Sequence, residues 1–364
     1  MEMSPIYIGL PTGVQGPAFQ LPEHLLDAYT LKGRIAVMQF WLGRKIPNNV
    51  LRWSRAEFDR ISAVVAAAVR EKAVIGYGSD PQLFEALNDH PIAGQEILII
   101  GSETPLYECI ALHFGGRPVT VEYSPIEHDI DGLQTFTPEE FARDHRRFDG
   151  GMSISAIEHS GLGRYGDQLD PLGDLRAMQE YRRRLKVGGR LVLQVPAGFD
   201  AVYWNAHRVY GGIRLPLLLK GWRVLACYGL DYPGLGNLPM RPYDVAEPVF
   251  VLENTDEPLQ LLGPDDLASE PQARVFIYGA GRGGALVRTM LEGGGRTVAG
   301  YIDSARSGSH EDLPLIQVDD FLAQRRADDI VIVASQYIQD ILPRLAALPP
   351  DRVLSAEIYM AHFV

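Results

Sequence analysis

Apolar and polar positions alternate along the chain in two rhythms. Glu96–Gly101 (Glu-Ile-Leu-Ile-Ile-Gly) is a short continuous apolar run, the pattern of a strand buried in a parallel sheet. Pro105–Phe114 has helical spacing, Pro118–Tyr123 reads as a second strand and Leu133–Thr137 as a short third. Thr137-Pro138-Glu139-Glu140 opens a helix, with Thr as N-cap and Pro in first position. Strands follow at Gly151–Ile157, Arg190–Val195, Trp222–Tyr228 and Pro248–Glu253. Helices fall at Leu172–Leu185, stopped by Gly188-Gly189, and at Leu215–Lys220. This alternation predicts a doubly wound, mostly parallel sheet over residues 96–257.

Residues 1–95 read differently, as a mostly helical cap. Leu21–Thr30 and Ser54–Arg70 have helical spacing, and Phe58, Ile61, Val64, Val65 and Val69 share a face. Met1–Gly16 is rich in Pro and Gly, and Asn48-Asn49 and Gly76–Pro81 are breakers. Residues 258–273 are polar and read as a linker. A second alternating unit fills 274–364. Its strands are Arg274–Gly279, Thr297–Asp303, Asp329–Ser335 and Arg352–Tyr359, and its helices Gly283–Glu292, Val318–Gln324 and Gln336–Ala346. The fold class is therefore α/β, a Rossmann-like sheet with a helical N-terminal cap and a second, smaller Rossmann-like domain.

At roughly 100–200 residues per domain, 364 residues suit two or three domains. A net charge of −12 with no basic stripe argues against a nucleic-acid partner. The densest basic run, Arg182-Arg183-Arg184-Leu185-Lys186, falls at a helix end, where cations suit the dipole. Cys109 and Cys227 lack C-x-x-C spacing, which excludes a disulfide framework or zinc cluster and fits a reducing compartment. No metal-ligand spacing appears, no leader pattern opens the chain, and no apolar run approaches the roughly 18 residues of a membrane span. A cytoplasmic protein handling a small molecule is expected, with a homo-oligomer left open.

In an open α/β sheet, ligands bind beyond the carboxyl ends of the strands. Gly101-Ser102-Glu103-Thr104 ends the first strand, and Glu122 ends the second, 21 positions after Gly101. That spacing suits a turn approached by a nucleotide cofactor and a carboxylate that accepts from ribose hydroxyls. Gly101, Ser102, Glu103 and Glu122 are the candidate cofactor contacts, although the turn holds one glycine where such turns often hold two or three.

Further segments carry a resemblance. Phe148-Asp149 precedes the strand ending in Ala156-Ile157-Glu158-His159, and Leu185-Lys186-Val187-Gly188-Gly189 leads into the fifth strand. Their order resembles class I S-adenosyl-L-methionine (SAM)-dependent methyltransferases. More specifically, Ser155–Pro171 (SAIEHSGLGRYGDQLDP), Trp204–Gly211 (WNAHRVYG) and Leu215–Trp222 resemble a family of methyltransferases of bacterial surface-polysaccharide clusters and nematodes, known as a domain of unknown function. The resemblance spans about residues 96–255 and implies SAM as cofactor and a sugar or nucleotide-sugar as acceptor. Val187 replaces a proline, and the stretch from Glu122 to Asp149 is short for the usual second helix and third strand.

The loops after the fourth and fifth strands carry the remaining candidates. His159 is the first choice of general base and His207 the second, because imidazole titrates near neutrality. Asp167 is placed to orient the imidazole, and Glu158 to accept on the cofactor side. Arg164 and Arg208 suit a phosphate or carboxylate, and Tyr165, Asn205 and Tyr210 a polar substrate. Trp204 and Tyr210 fit core packing equally well.

Gly279-Ala280-Gly281-Arg282-Gly283-Gly284 is a G-x-G-x-x-G match between a strand and a helix, with Asp303 ending the next strand, 22 residues after Gly281. Gly279, Gly281, Gly284 and Asp303 define a second nucleotide site, for NAD or a nucleotide-sugar. The alternatives to a methyltransferase are thus an NAD-dependent sugar-nucleotide oxidoreductase or epimerase, and a non-catalytic nucleotide-sugar-binding protein.

Overall fold

The computed structural model describes residues 19–43, 50–231, 241 and 244–360. The Pro/Gly-rich Met1–Gly16 stretch and the Asn48-Asn49 breaker lie outside them. The chain divides into two compact units after Thr255.

Unit 1 opens with α1 (Glu23–Tyr29), β1 (Ala36–Phe40), β2 (Leu51–Trp53), α2 (Arg55–Glu71) and α3 (Asp80–Asp89). The Ser54 hydroxyl accepts from the Glu57 N–H and fixes the start of α2, whose Phe58, Ile61, Val65 and Ala68 face the core. The alternating region follows: β3 (Glu96–Ile100), α4 (Leu106–His113), β4 (Arg117–Val121), β5 (Ile126–His128), β6 (Gln134–Phe136), α5 (Pro138–Phe141), β7 (Phe148–Ile154), α6 (Gly173–Arg184) and β8 (Leu185–Gln194). Thr137 and Glu140 close the expected capping box on α5. After β8 come β9 (Ala197–Gly198), β10 (Ala201–Asn205), β11 (His207–Val209), α7 (Arg214–Leu218), β12 (Trp222–Tyr228), β13 (Val245–Ala246) and β14 (Val249–Asn254).

The main sheet has the order β12-β14-β8-β7-β3-β4-β6. The five strands from β6 to β8 run parallel, and β14 lies antiparallel to both β8 and β12. Its central strands are apolar on both sides, as parallel strands covered by helices must be. The order reverses direction between β3 and β7, which is the switch point where ligands bind in open sheets. A smaller sheet, β1-β10-β11, joins the N-terminal segment to the loop after β8.

The N-terminal segment is thus not simply helical. Ala36–Phe40 becomes a strand because β10, far along the chain, supplies its hydrogen-bonding partner. Helix α6 ends at Arg184, ahead of the glycines, and β8 runs through Gly188-Gly189. The Asn254 side-chain amide donates to the carbonyls of Arg182, Leu185 and Lys186, which satisfies the helix end without a glycine cap.

Unit 2 contains β15 (Leu259–Gln260), β16 (Val275–Tyr278), α8 (Arg282–Gly293), β17 (Val298–Asp303), β18 (Gly308–His310), β19 (Leu313–Gln317), α9 (Val318–Gln324), β20 (Ile330–Val333), α10 (Ile338–Ile341), β21 (Val353–Ser355) and α11 (Glu357–Met360). Its sheet order is β15-β21-β20-β16-β17-β19-β18, with only the β18–β19 hairpin antiparallel. Part of the stretch that reads as a linker, Leu259–Gln260, pairs with β21 and belongs to this sheet. The final segment read as one strand is a short strand followed by a helical turn.

The glycine loop of unit 2 shows why its glycines differ. A Cβ on Gly284 would sit 2.0 Å from the Gly279 carbonyl oxygen, whereas one on Gly281 would meet nothing within 4 Å. Gly284→Ala is therefore expected to cost about 1–3 kcal/mol through overpacking, and Gly281→Ala close to nothing. Calorimetric unfolding of the two variants checks this. Equal midpoints would show that α8 shifts freely away from the loop.

Candidate functional site

The carboxyl edge of the main sheet is built on buried acids. Gly101 adopts φ +83°, a turn that favours glycine, and directs the Ser102 N–H onto Glu122 Oε2 at 2.9 Å. The Ser124 N–H donates to Glu122 Oε1 at 3.3 Å. Glu122 therefore reaches the turn after β3, as the spacing of the sequence requires, and is 1% exposed. Behind it, Glu108 accepts from the Ser102 hydroxyl at 3.0 Å and the Thr120 hydroxyl at 2.7 Å. Burial pushes the Glu108 and Glu122 carboxyls up to about 7 against the pull of these donors. Glu108 went unnoticed in the sequence because it sits inside a helical pattern with no glycine or turn to mark it.

The turn after β7 is strained. Ser155 adopts φ +49°, and its hydroxyl donates to Glu158 Oε1 at 2.8 Å. Glu158 Oε2 is buried without a hydrogen-bond partner, and burial pushes this carboxyl up to about 7 as well. His159 Nδ1 lies 2.5 Å from the Ala206 carbonyl oxygen. A carbonyl only accepts, so Nδ1 carries the proton and the lone pair is at Nε2. Burial lowers this imidazole to about 3, opposed by the Ala206 bond and aided by His207, Arg164 and Arg208. His207 stacks on Tyr203 with ring centres 5.0 Å apart and stands edge-on to His159 at 6.3 Å. It too is lowered by burial, to about 4.

Several expected substrate contacts serve the interior instead. Asp167 does not orient His159: its oxygens accept from the N–H groups of Gly161, Gly163 and Tyr165 and fold the loop around themselves. Arg164 is 5% exposed, with its guanidinium 5.1 Å from the Tyr165 ring, which is itself buried. Asn205 ties the Leu42–Gly43 backbone to β10, and Trp204 packs edge-on against Tyr29. Arg208, expected at an anion, is 0% exposed and donates to the carbonyls of Glu158, Ser160, Asp170 and Pro171. Tyr210 donates to Asp174, which also takes a bidentate pair from Arg214 at 2.5 and 2.8 Å. Burial works to raise Asp174, but Arg208 and Arg214 outweigh it and hold this carboxyl below the usual range. The physical reason is that β10 is buried at every residue, so its polar neighbours face inward.

In unit 2, the ends of β16, β17 and β20 line a cavity of about 280 Å3, with Gly279, Asp303, Ser304, Ser335 and Arg344 among its walls. Asp303 Oδ1 accepts from the N–H groups of Ala305 and Arg306, and Oδ2 from the Arg306 guanidinium. Those contacts lower its carboxyl to about 2.

The main sheet, with its last strand in the chain inserted in reverse between β8 and β12, has the strand order of the class I methyltransferase fold. Residues 94–240 match the family described as "Caenorhabditis protein of unknown function, DUF268". Among solved structures, the chain is similar to a Burkholderia thailandensis 1,6-didemethyltoxoflavin-N1-methyltransferase bound to 1,6-didemethyltoxoflavin and S-adenosylhomocysteine. The identity is 14%, covering 57% of this chain and 94% of that one, at a TM-score of 0.33. It is also similar to a TehB-like SAM-dependent methyltransferase from Corynebacterium glutamicum (15% identity, 55% and 98% coverage, TM-score 0.33) and to the [4+2]-cyclase SpnF (11%, 58% and 98%, 0.32). No curated protein sequence matches the chain. Among the described residues, no helix is long and apolar enough to cross a membrane.

Removing Asp174 leaves two guanidinium groups buried beside one another. Asp174→Ala is expected to cost about 3–5 kcal/mol in urea unfolding, and a loss below about 1 kcal/mol would refute the role given to this cluster. Glu108 gives a pH signature. Its folded value near 7 lies above the ordinary 4.5, so its contribution is fully present below pH 4.5 and is lost as pH rises through 7. Between pH 4.5 and 7, the melting temperature of the parent should fall relative to that of Glu108→Gln as pH rises. Parallel curves would count against the assignment.

Proposed function

We propose that unit 1 is a SAM-dependent methyltransferase acting on a small polar acceptor, a sugar or nucleotide-sugar. The observation that carries this reading is the Glu122 carboxylate, buried at the end of the second strand and bonded to the turn after the first. A carboxylate has about four lone-pair sites, and the backbone N–H groups of Ser102, Ser124 and Tyr123 leave one for a ribose hydroxyl. The donor set fits an adenosyl group, held by Glu122 and the Gly101–Glu103 backbone. SAM, when bound, supplies a methyl group on a positively charged sulfur, with the electron pair of the broken C–S bond remaining on sulfur.

His159 Nε2 takes the proton that the acceptor hydroxyl gives up. The Ala206 carbonyl holds the tautomer that leaves this nitrogen free. Because burial keeps the imidazole neutral, His159 imposes no acidic limb on the rate near pH 6.5. His207 shields the ring from water, and Asp167 acts by holding the loop in shape. For unit 2 we infer nucleotide or nucleotide-sugar binding, which is supported by the cavity beside Gly279 and Asp303 at the carboxyl ends of its strands.

S-adenosylhomocysteine is expected to raise the melting temperature of the full chain, and Glu122→Ala to abolish that rise. If the parent shows no shift at millimolar concentration, the transferase reading fails. NAD and UDP-glucose, tested in the same assay against Asp303→Ala, report on unit 2. A response to NAD alone would favour an oxidoreductase.

A further inference from the structure

Beside His159, the carboxyl edge gathers three carboxyl groups and a phenol from four separate parts of the chain. Asp80 starts α3, Tyr107 lies in the first turn of α4, Glu158 follows β7 and Glu247 precedes β14. Asp80 Oδ2 accepts from the N–H groups of Ile75, Gly76 and Tyr77, and this brings the Gly76–Gly78 strap over the edge. A Cβ on Gly76 would lie 3.7 Å from the Tyr107 hydroxyl and 3.8 Å from Asp80 Oδ2. One on Gly78 would lie 3.4 Å from Glu247 Oε2. The Tyr107 phenol feels the charges of Asp80 and Glu158, Glu158 that of Glu247, and Glu247 that of Asp80. Asp80, Tyr107 and Glu247 therefore gather around the Gly76–Gly78 strap, with Glu158 close enough to act electrostatically on Tyr107.

Three of their atoms are left over. Asp80 Oδ1, Glu158 Oε2 and the Tyr107 hydroxyl are buried with no hydrogen-bond partner, on residues 1%, 1% and 2% exposed. An unsatisfied buried polar atom costs about 1–3 kcal/mol, so three in one place require an explanation. No lysine or arginine forms an ion pair with the carboxyls of Asp80, Glu158 or Glu247 among the described residues, and His159, whose Nε2 lies 3.7 Å from Glu158 Oε1, is neutral. The guanidinium groups expected to grip an anionic acceptor are spent on the interior, as Arg208 shows. An ammonium head presents three donors and one positive charge, which complements three orphan acceptors among carboxylates. A phosphate there would meet only like charge.

We propose that the acceptor of unit 1 carries a primary amine, as an amino sugar does, and that its ammonium group is held by Asp80, Glu158, Glu247 and Tyr107. This rests on the methyltransferase reading for the word acceptor, and the chamber itself does not depend on it.

The test is titration calorimetry on the full chain, with and without saturating S-adenosylhomocysteine, using glucosamine, galactosamine and putrescine against N-acetylglucosamine and glucose. At least one amine should bind at least tenfold tighter than the neutral sugars. Glu247→Gln, at a half-buried position, should weaken the amine about tenfold and leave S-adenosylhomocysteine affinity unchanged, and the isosteric Glu158→Gln should weaken the amine about tenfold. Equal binding of amines and neutral sugars, or no amine binding by a folded chain, overturns the proposal. So does a loss of S-adenosylhomocysteine affinity in Glu247→Gln, which would assign the chamber to the cofactor's own ammonium. Amine binding that is sensitive to Glu247→Gln in a chain that ignores S-adenosylhomocysteine upholds the chamber and removes only the transferase reading.

Discussion

The buried ion cluster of Asp174, Arg208 and Arg214 is the constraint on which the rest of unit 1 hangs. Two guanidinium groups with no exposure are placed against one carboxylate, and further donors of each reach backbone carbonyls of the loop after β7, while Arg208 Nε and Arg214 Nη1 stay buried without a hydrogen-bond partner. Such a cluster is costly to desolvate and stands only while the carboxylate between the two cations is in place. It converts a glycine-rich loop, which would otherwise have many shapes, into a fixed wall. Tyr29 adds to this from the N-terminal segment by donating to the Gly161 carbonyl.

The fixed wall makes the chemistry at the sheet edge intelligible. A loop held this firmly keeps His159 against Ala206 and Glu158 against Ser155, both of them buried. Burial then pushes the acids up and the imidazoles down, so a cation that enters this edge holds the acids in their charged form while the imidazoles stay neutral. Polar groups kept uncharged in a dry site respond strongly to any charge brought to them, because no solvent screens the encounter.

The sequence revealed the sheet well and the site unevenly. Continuous apolar runs such as Glu96–Ile100 announced the parallel strands, and Ser54 and Thr137 announced helix starts, because these signals are local. Glu122 was legible from its distance to Gly101. The burial of Arg208 and Asn205 was not, since it depends on β1 and α1 packing onto β10 from far away in the chain. Motif composition suggested a polar surface where the fold makes a polar interior. Asp80, Tyr107 and Glu247 carry no motif at all. They matter only because the topology draws four distant segments to one edge, and no spacing rule records that.

The reversed strand β14 also dictates when unit 1 can be completed. Among the described residues, strand β12 has β14 as its sole neighbour in the sheet, so it stays unpaired until residues Val249–Asn254 have been made and inserted beside β8. A chain released from the ribosome at residue 240, the end of the family-like segment, would expose one raw edge on β8 and a detached strand beyond it. Assembly is therefore finished from the C-terminal side, and a fragment cut to hold this unit alone must extend through Thr255.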